Sequence, residues 1–238
     1  MTVTRPDFLR QPSPNCDSRN GQTVDILLLH YTGMTSGAAA LARLCDPAAE
    51  VSAHYLIEED GRTFSLVDEK ARAWHAGAAS WQGARDINAR SVGIELVNPG
   101  HEFGYRDFPE AQMAALIPLC QDIVARHGIP AARVLGHSDV APLRKEDPGE
   151  RFDWQRLARA GIGLWPDNTP AIEACPAEAE LRAQLTRFGY DAGEAVAFDK
   201  LILAFQRHFR PERVDGRADR ETAARLAALL ALCDETRA

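Results

Sequence analysis

No run of this 238-residue chain approaches the ~20 consecutive apolar residues that a membrane span needs. Lysine and arginine are scattered without a basic block, and the formal net charge is −7. Phosphate contacts need clustered cations, so nucleic acid and anionic membrane surfaces are poor partners. The five cysteines are odd in number and widely spaced, with no CxxC pair. Neither a disulfide framework nor a cysteine zinc site is indicated. Cys45, Cys120 and Cys233 fall in helix-like patterns and read as small buried apolar residues. Met1 to Asn20 mixes charged residues with Pro6, Pro12 and Pro14 and has no apolar signal segment. The expectation is a protein of the reducing cytoplasm, acting without nucleic acid or membrane, as a monomer. Internal repeats and low-complexity tracts are also missing.

What is present suits one domain with a sizeable core plus a smaller second one. Residues 1–22 read as an irregular arm. Val24 to Tyr31 reads as a short buried strand, and Ser36 to Asp46 as a helix with Thr35 or Ser36 as cap. Ser52 to Glu58 and Arg62 to Val67 flank Asp60-Gly61, a hairpin signal. Ala73 to Asn88 reads as a long ordered loop and Ser91 to Val97 as a second buried strand. Pro109 to His127 has helical spacing and ends at Gly128, although Pro118 should kink it. A short strand over Arg133 to Leu135 leads to His137, and Asp153 caps a helix reaching Ala160. A proline-rich linker over 164–175 separates this part, 1–163, from three helical patterns over 176–238. The fold class is α/β: a mixed central β-sheet flanked by helices, followed by a small all-α three-helix domain.

The residues that can carry chemistry converge on the stretch from His137 to Asp147, with Lys145 two before the aspartate. A histidine and an aspartate are two-thirds of a hydrolytic zinc site, which has three protein ligands and an open fourth position. His30, at the end of an apolar strand, is the best third ligand, since sites gather at strand ends. Alone, each is an ordinary core histidine or turn residue. Together they form a set that suits one zinc ion. Lys145 projects beside Asp147 in an extended segment and can face a substrate oxygen. Without the zinc it is a surface cation. Glu95 interrupts the apolar run Val92 to Val97. An unpaired buried carboxylate is costly, so it is either an outward-facing charge or a general base, and the two readings stand level. His54, Trp74 and His75 are candidates for a substrate groove. Trp81 suits packing under a loop at least as well. His101, His127 and His208 read as surface or helix-end residues.

Five motifs occur in order: Leu29-His30-Tyr31-Thr32, Val51 to Ile57, Ala73-Trp74-His75-Ala76-Gly77, Ser91 to Leu96, and Gly136-His137-Ser138-Asp139 through Gly149. Over roughly residues 12–160 the chain resembles the zinc-dependent N-acetylmuramoyl-L-alanine amidases of the AmpD/AmiD type, whose fold is shared with peptidoglycan recognition proteins. The tail, with Phe205-Gln206, Asp215-Gly216 and Asp219 to Thr222, resembles the three-helix peptidoglycan-binding module of the AmiD-like branch. The resemblance implies His30, His137 and Asp147 as zinc ligands, Glu95 as general base and Lys145 as oxyanion stabiliser. It puts His54, Trp74 and His75 at the substrate cleft. The implied reaction is hydrolysis of the amide between N-acetylmuramic acid and L-alanine, in peptidoglycan or anhydro-muropeptides. AmiD-like enzymes are typically exported lipoproteins, and neither a signal nor a lipobox is visible here. The rival expectation is a recognition protein that binds peptidoglycan without turnover. Such forms usually lose a zinc ligand, whereas this set is complete.

Overall fold

The computed structural model describes residues 8–235. Strands β1 (Leu9–Arg10), β2 (Cys16–Ser18) and β3 (Ile26–Tyr31) precede helix α1 (Gly37–Cys45). Strands β4 (Tyr55–Ile57), β5 (Thr63–Ser65) and β6 (Ala71–Ala73) follow, then α2 (Ile87–Arg90), β7 (Ser91–Leu96), α3 (Gly100–Phe103) and α4 (Glu110–His127). After β8 (Val134–Gly136) come α5 (His137–Val140), α6 (Trp154–Arg159), α7 (Glu178–Phe188), α8 (Phe198–Phe209) and α9 (Arg220–Glu235).

The main sheet has six strands in the order β1-β5-β4-β7-β3-β8. It is mixed: β4, β7, β3 and β8 run parallel to one another, while β4 and β5 form the antiparallel hairpin. The hairpin turns at Gly61, whose φ of +88° admits few other residues. β3 is an unbroken apolar run up to His30 because a central parallel strand is buried on both faces. Its alternation divides the core. Leu27 and Leu29 pack with Val92 and Ile94 against Leu116 and Leu119 of α4. Ile26 and Leu28 belong to the opposite core, which also contains Leu185, Phe205 and Leu229 from the C-terminal helices. One continuous hydrophobic cluster therefore joins the sheet to α7, α8 and α9.

Several expectations differ from what is seen. Residues 1–7 of the expected arm lie outside the described residues. The rest contributes β1, parallel to β5, and β2, antiparallel to β6. These edge strands of two and three residues are too short and polar to show a period. α4 runs from Glu110 to His127 as one continuous helix with Pro118 inside it. The caps at Ser36 and Asp153 form as expected, accepting from the amides of Ala39 and Arg156. Among the described residues, no helix is long and apolar enough to cross a membrane.

Candidate active site

Sheet register assembles the site. In the parallel β3–β7 pair His30 lies opposite Glu95, and in the β3–β8 pair Leu29 lies opposite Gly136, one residue before His137. Three strands thus deliver His30, Glu95 and His137 to one carboxyl edge, where open α/β sheets bind ligands. Asp147 returns from the following loop, tied back by the Ser138 amide donating to its carbonyl at 2.9 Å. His30 Nδ1, His137 Nδ1 and Asp147 Oδ2 lie 3.0 Å from one another. All three side chains are buried, and they form a group able to hold a metal ion.

The surrounding hydrogen bonds decide which ring nitrogens are bare. The Ser91 hydroxyl donates to the Ile87 carbonyl at 2.7 Å. Its oxygen therefore accepts from His75 Nε2, 3.2 Å away. A neutral His75 then has a bare Nδ1, which accepts from His30 Nε2 at 3.0 Å. That leaves His30 Nδ1 without a proton. His137 Nε2 donates to the Ala76 carbonyl at 3.0 Å, so the neutral ring also has a bare Nδ1. Outer hydrogen bonds of this kind fix ligand tautomers at metal sites. Burial, reinforced by His137, pushes the His30 imidazole down to about 4. Burial, then the neighbouring His30, holds His75 well below the usual histidine range. Asp147 is held well below the usual carboxylate range: burial raises it, but His137 and His30 outweigh that. Two bare nitrogens and a carboxylate oxygen crowded together repel one another unless a cation lies among them. The donor set fits one.

Gly93 makes room for this arrangement. A Cβ there would come within 2.5 Å of His75 Nδ1, so only glycine lets the ring lie on β7.

The ligand group opens on a cleft of about 420 Å3 lined in part by Trp74, His75, Glu95, Lys145 and Asp147. Glu95 Oε2 is covered and accepts no hydrogen bond, and Trp74 Nε1 is likewise unpartnered. Burial pushes the Glu95 carboxyl well above its usual range; Asp147 adds to the rise and Lys145 opposes it. A covered carboxylate facing a cleft without a partner is equipped to take a proton from a water or substrate there.

His54 does not reach this cleft. It is fully buried, accepts from the Gly93 amide at Nδ1 (2.9 Å) and lies 2.8 Å from the Arg19 guanidinium at Nε2. Burial and Arg19 push it down to about 3. Its motif position beside cleft residues conceals that its backbone bonds to Gly93 turn it inward. Arg19, unnoticed in the sequence, also donates to the carbonyls of Glu69, Ala89 and Ser91. Trp81 is buried under its loop, edge-on to Phe188 and Tyr190. His127 ends α4 and contacts Glu69. His101 is exposed but stands at the cleft rim, its Nδ1 2.9 Å from the Tyr31 hydroxyl.

His208 lies in the last turn of α8, as the helix-end reading has it, but not at the surface. It is buried and its Nδ1 donates to Asp139 Oδ2 at 2.7 Å. Asp139 also accepts from the Gly136 amide and the Tyr190 hydroxyl. Its place two residues after His137 was a usable signal. Its distant partners had none.

The N-acetylmuramoyl-L-alanine amidase family profile matches residues 20–150. The N-acetylmuramoyl-L-alanine amidase AmiD of Escherichia coli K12 is 40% identical over 235 residues, 87% of this chain and 82% of AmiD. The structure of E. coli AmiD with its substrate, anhydro-N-acetylmuramic acid-L-Ala-D-γ-Glu-L-Lys, matches with a TM-score of 0.80 and 38% identity, covering 96% of this chain and 93% of that one. That of AmpDh3 from Pseudomonas aeruginosa with anhydromuramic pentapeptide matches with a TM-score of 0.82 and 35% identity, covering 98% and 99%. Profile and relatives take in the strand ends that carry His30 and Glu95 and the turn that carries His137, and on these matches the chain belongs to the N-acetylmuramoyl-L-alanine amidase family.

Proposed function

We propose that the chain hydrolyses the amide between the lactyl group of N-acetylmuramic acid and L-alanine of the stem peptide, in peptidoglycan or anhydro-muropeptides. The observation that carries this reading is the bare-nitrogen ligand group of His30, His137 and Asp147 beside the unpartnered Glu95 carboxylate. These three residues would hold one zinc ion, whose donor preferences they suit. When bound, zinc polarises a carbonyl and lowers the pKa of water toward ~7.

The chain's own groups do the rest. Glu95 accepts the proton of the attacking water and returns it to the departing L-alanine amine. Lys145 faces the carbonyl oxygen as its charge grows. Trp74, with its free Nε1–H, and His75 line the cleft where the sugar and first peptide residues would lie. Relatives bound to anhydromuramyl peptides support that substrate class. In this reading residues 1–163 carry catalysis, 164–175 link, and 176–238 form a peptidoglycan-binding-like three-helix unit. Cytoplasmic action on recycled fragments belongs to the same reading, and cell fractionation tests it.

The full chain is incubated with purified anhydro-muropeptide, and products are weighed by mass spectrometry with metal content measured alongside. The expected products are intact stem peptide and free anhydro sugar, lost on chelation and restored by zinc. Cleavage inside the stem peptide, or binding without turnover by zinc-loaded protein, would overturn the proposal.

A further inference from the structure

Two consecutive residues of α8 grip the segment that carries two of the three metal ligands. His208 Nδ1 donates to Asp139 Oδ2 at 2.7 Å. Arg207 donates to Glu146 Oε1 at 2.6 Å, and Glu146 stands between Lys145 and Asp147. The first tether lies two residues after His137 and the second one residue before Asp147. A third contact joins the first: the Tyr190 hydroxyl donates to Asp139 Oδ1 at 2.5 Å. The Gly136 amide donates to Asp139 Oδ2 at 2.7 Å. Asp139 thereby closes the start of α5 on itself and fastens it to the C-terminal helices.

The gripping groups are themselves immobilised. The His208 ring is stacked on Trp154 with centroids 3.7 Å apart and on Phe209 at 3.8 Å. Tyr190 stands edge-on to Trp81 at 5.0 Å. Adhesion does not need this arrangement. Leu185, Phe205 and Leu229 already join the helices to the sheet through apolar contact. A carboxylate buried in such an interface must be desolvated, and apolar residues of similar volume usually hold two surfaces together at least as well. Polar groups do provide fixed direction and distance. α5 is a single turn of four residues, too short to hold its own position. Ligand atoms must stay within roughly 0.5 Å of their working geometry.

We propose that His208, Tyr190 and Arg207 are positioning residues of the hydrolytic site, acting through Asp139 and Glu146 on His137 and Asp147. The C-terminal helices are then a structural part of the metal centre, whatever they also bind. This rests on the zinc reading above.

The test uses full-length Tyr190→Phe, His208→Phe, His208→Asn and Arg207→Met. Zinc affinity is measured by chelator competition, kcat and KM on anhydro-muropeptide, and the melting midpoint on metal-free protein. Loss of an outer-shell partner typically weakens metal binding by about 10- to 100-fold. Tyr190→Phe and His208→Phe are expected in that range, with kcat reduced and KM nearly unchanged. Arg207→Met, at a half-exposed pair, is expected to lose less. His208→Asn, whose amide nitrogen can stand in for Nδ1, is expected to recover most of both losses. Lower melting midpoints with wild-type zinc affinity and kcat would overturn the proposal. If His208→Phe does not fold, Tyr190→Phe decides alone, since it removes one oxygen and keeps the ring. Wild-type protein that binds no zinc would instead defeat the functional reading.

Discussion

The two sets of charged and ring groups at the cleft are held on opposite plans. In the buried His30, His137 and Asp147 group, His30 and His137 have their outer nitrogens committed, one through His75 and Ser91 to the Ile87 carbonyl and the other to the Ala76 carbonyl. Beside them, Glu95 Oε2 has no partner, and the Lys145 ammonium lines the same cleft without a side-chain hydrogen bond or ion pair among the described residues. Fixed tautomers and buried rings suit groups that must not move or change protonation. Unpartnered charges suit groups whose partner arrives with water and substrate. In the proposed reading, holding the metal and moving the proton are separable tasks, and substitutions should separate them.

The largest effect is expected from Asp147→Ala, which removes the only carboxylate of the proposed ligand group. Purified protein should contain little zinc by elemental analysis and show no hydrolysis above background. Zinc retained at full stoichiometry would place the metal elsewhere. Lys145→Met comes next. It should keep zinc and lose roughly 10²- to 10³-fold in kcat, the range for losing one oxyanion-stabilising group. A normal kcat with a raised KM would make Lys145 a binding residue instead.

His75→Phe sharpens the comparison because His75 touches both tasks, lining the cleft and supporting His30. Zinc affinity should fall by about 10- to 100-fold. A rise in KM with unchanged zinc affinity would return His75 to a purely substrate-facing role.

The smallest effect concerns pH. His54 is buried and its imidazole is pushed down to about 3, below the unfolded value near 6.5. Between these values the unfolded chain binds a proton that the folded one does not. Stability contributed by neutral His54 is full above about pH 6.5 and is lost as pH falls toward 3. The slope is at most about 1.4 kcal/mol per pH unit for one such histidine. His30 and His75 act with the same sign in the metal-free protein. Urea titrations at pH 7 and pH 5 should show metal-free wild type losing stability, and His54→Gln losing less. Equal slopes would mean that His54 takes up its proton in the folded state.

Which parts of this were legible in the sequence follows from the range of the interactions. His30 could be read because it ends an unbroken apolar strand, and Glu95 because it interrupts one. The caps at Ser36 and Asp153 and the turn at Gly61 are local chemistry, visible within four residues. His54 misled because its motif neighbours reach the cleft while its own backbone bonds to Gly93 turn it inward. His208 was legible as a helix-end residue, but its burial was not, because its partner Asp139 is far away in sequence and joined to it only by the fold. β1 and β2 were hidden because edge strands of two and three residues carry no period. The tail's helical spacing was plain, but its apolar faces gave no sign that the sheet itself, through Ile26 and Leu28, would share their core.

The separation of the two sets of groups is tested most directly by Glu95→Gln. The substitution keeps size and removes only the ability to accept a proton as a carboxylate. Zinc content and single-turnover rate on anhydro-muropeptide are measured on the same preparation. The expected result is one zinc per chain at wild-type affinity, with the rate lowered by roughly 10²- to 10⁴-fold, the range for a general base. A zinc-loaded variant with near-normal turnover, or a variant that loses its zinc, would contradict it.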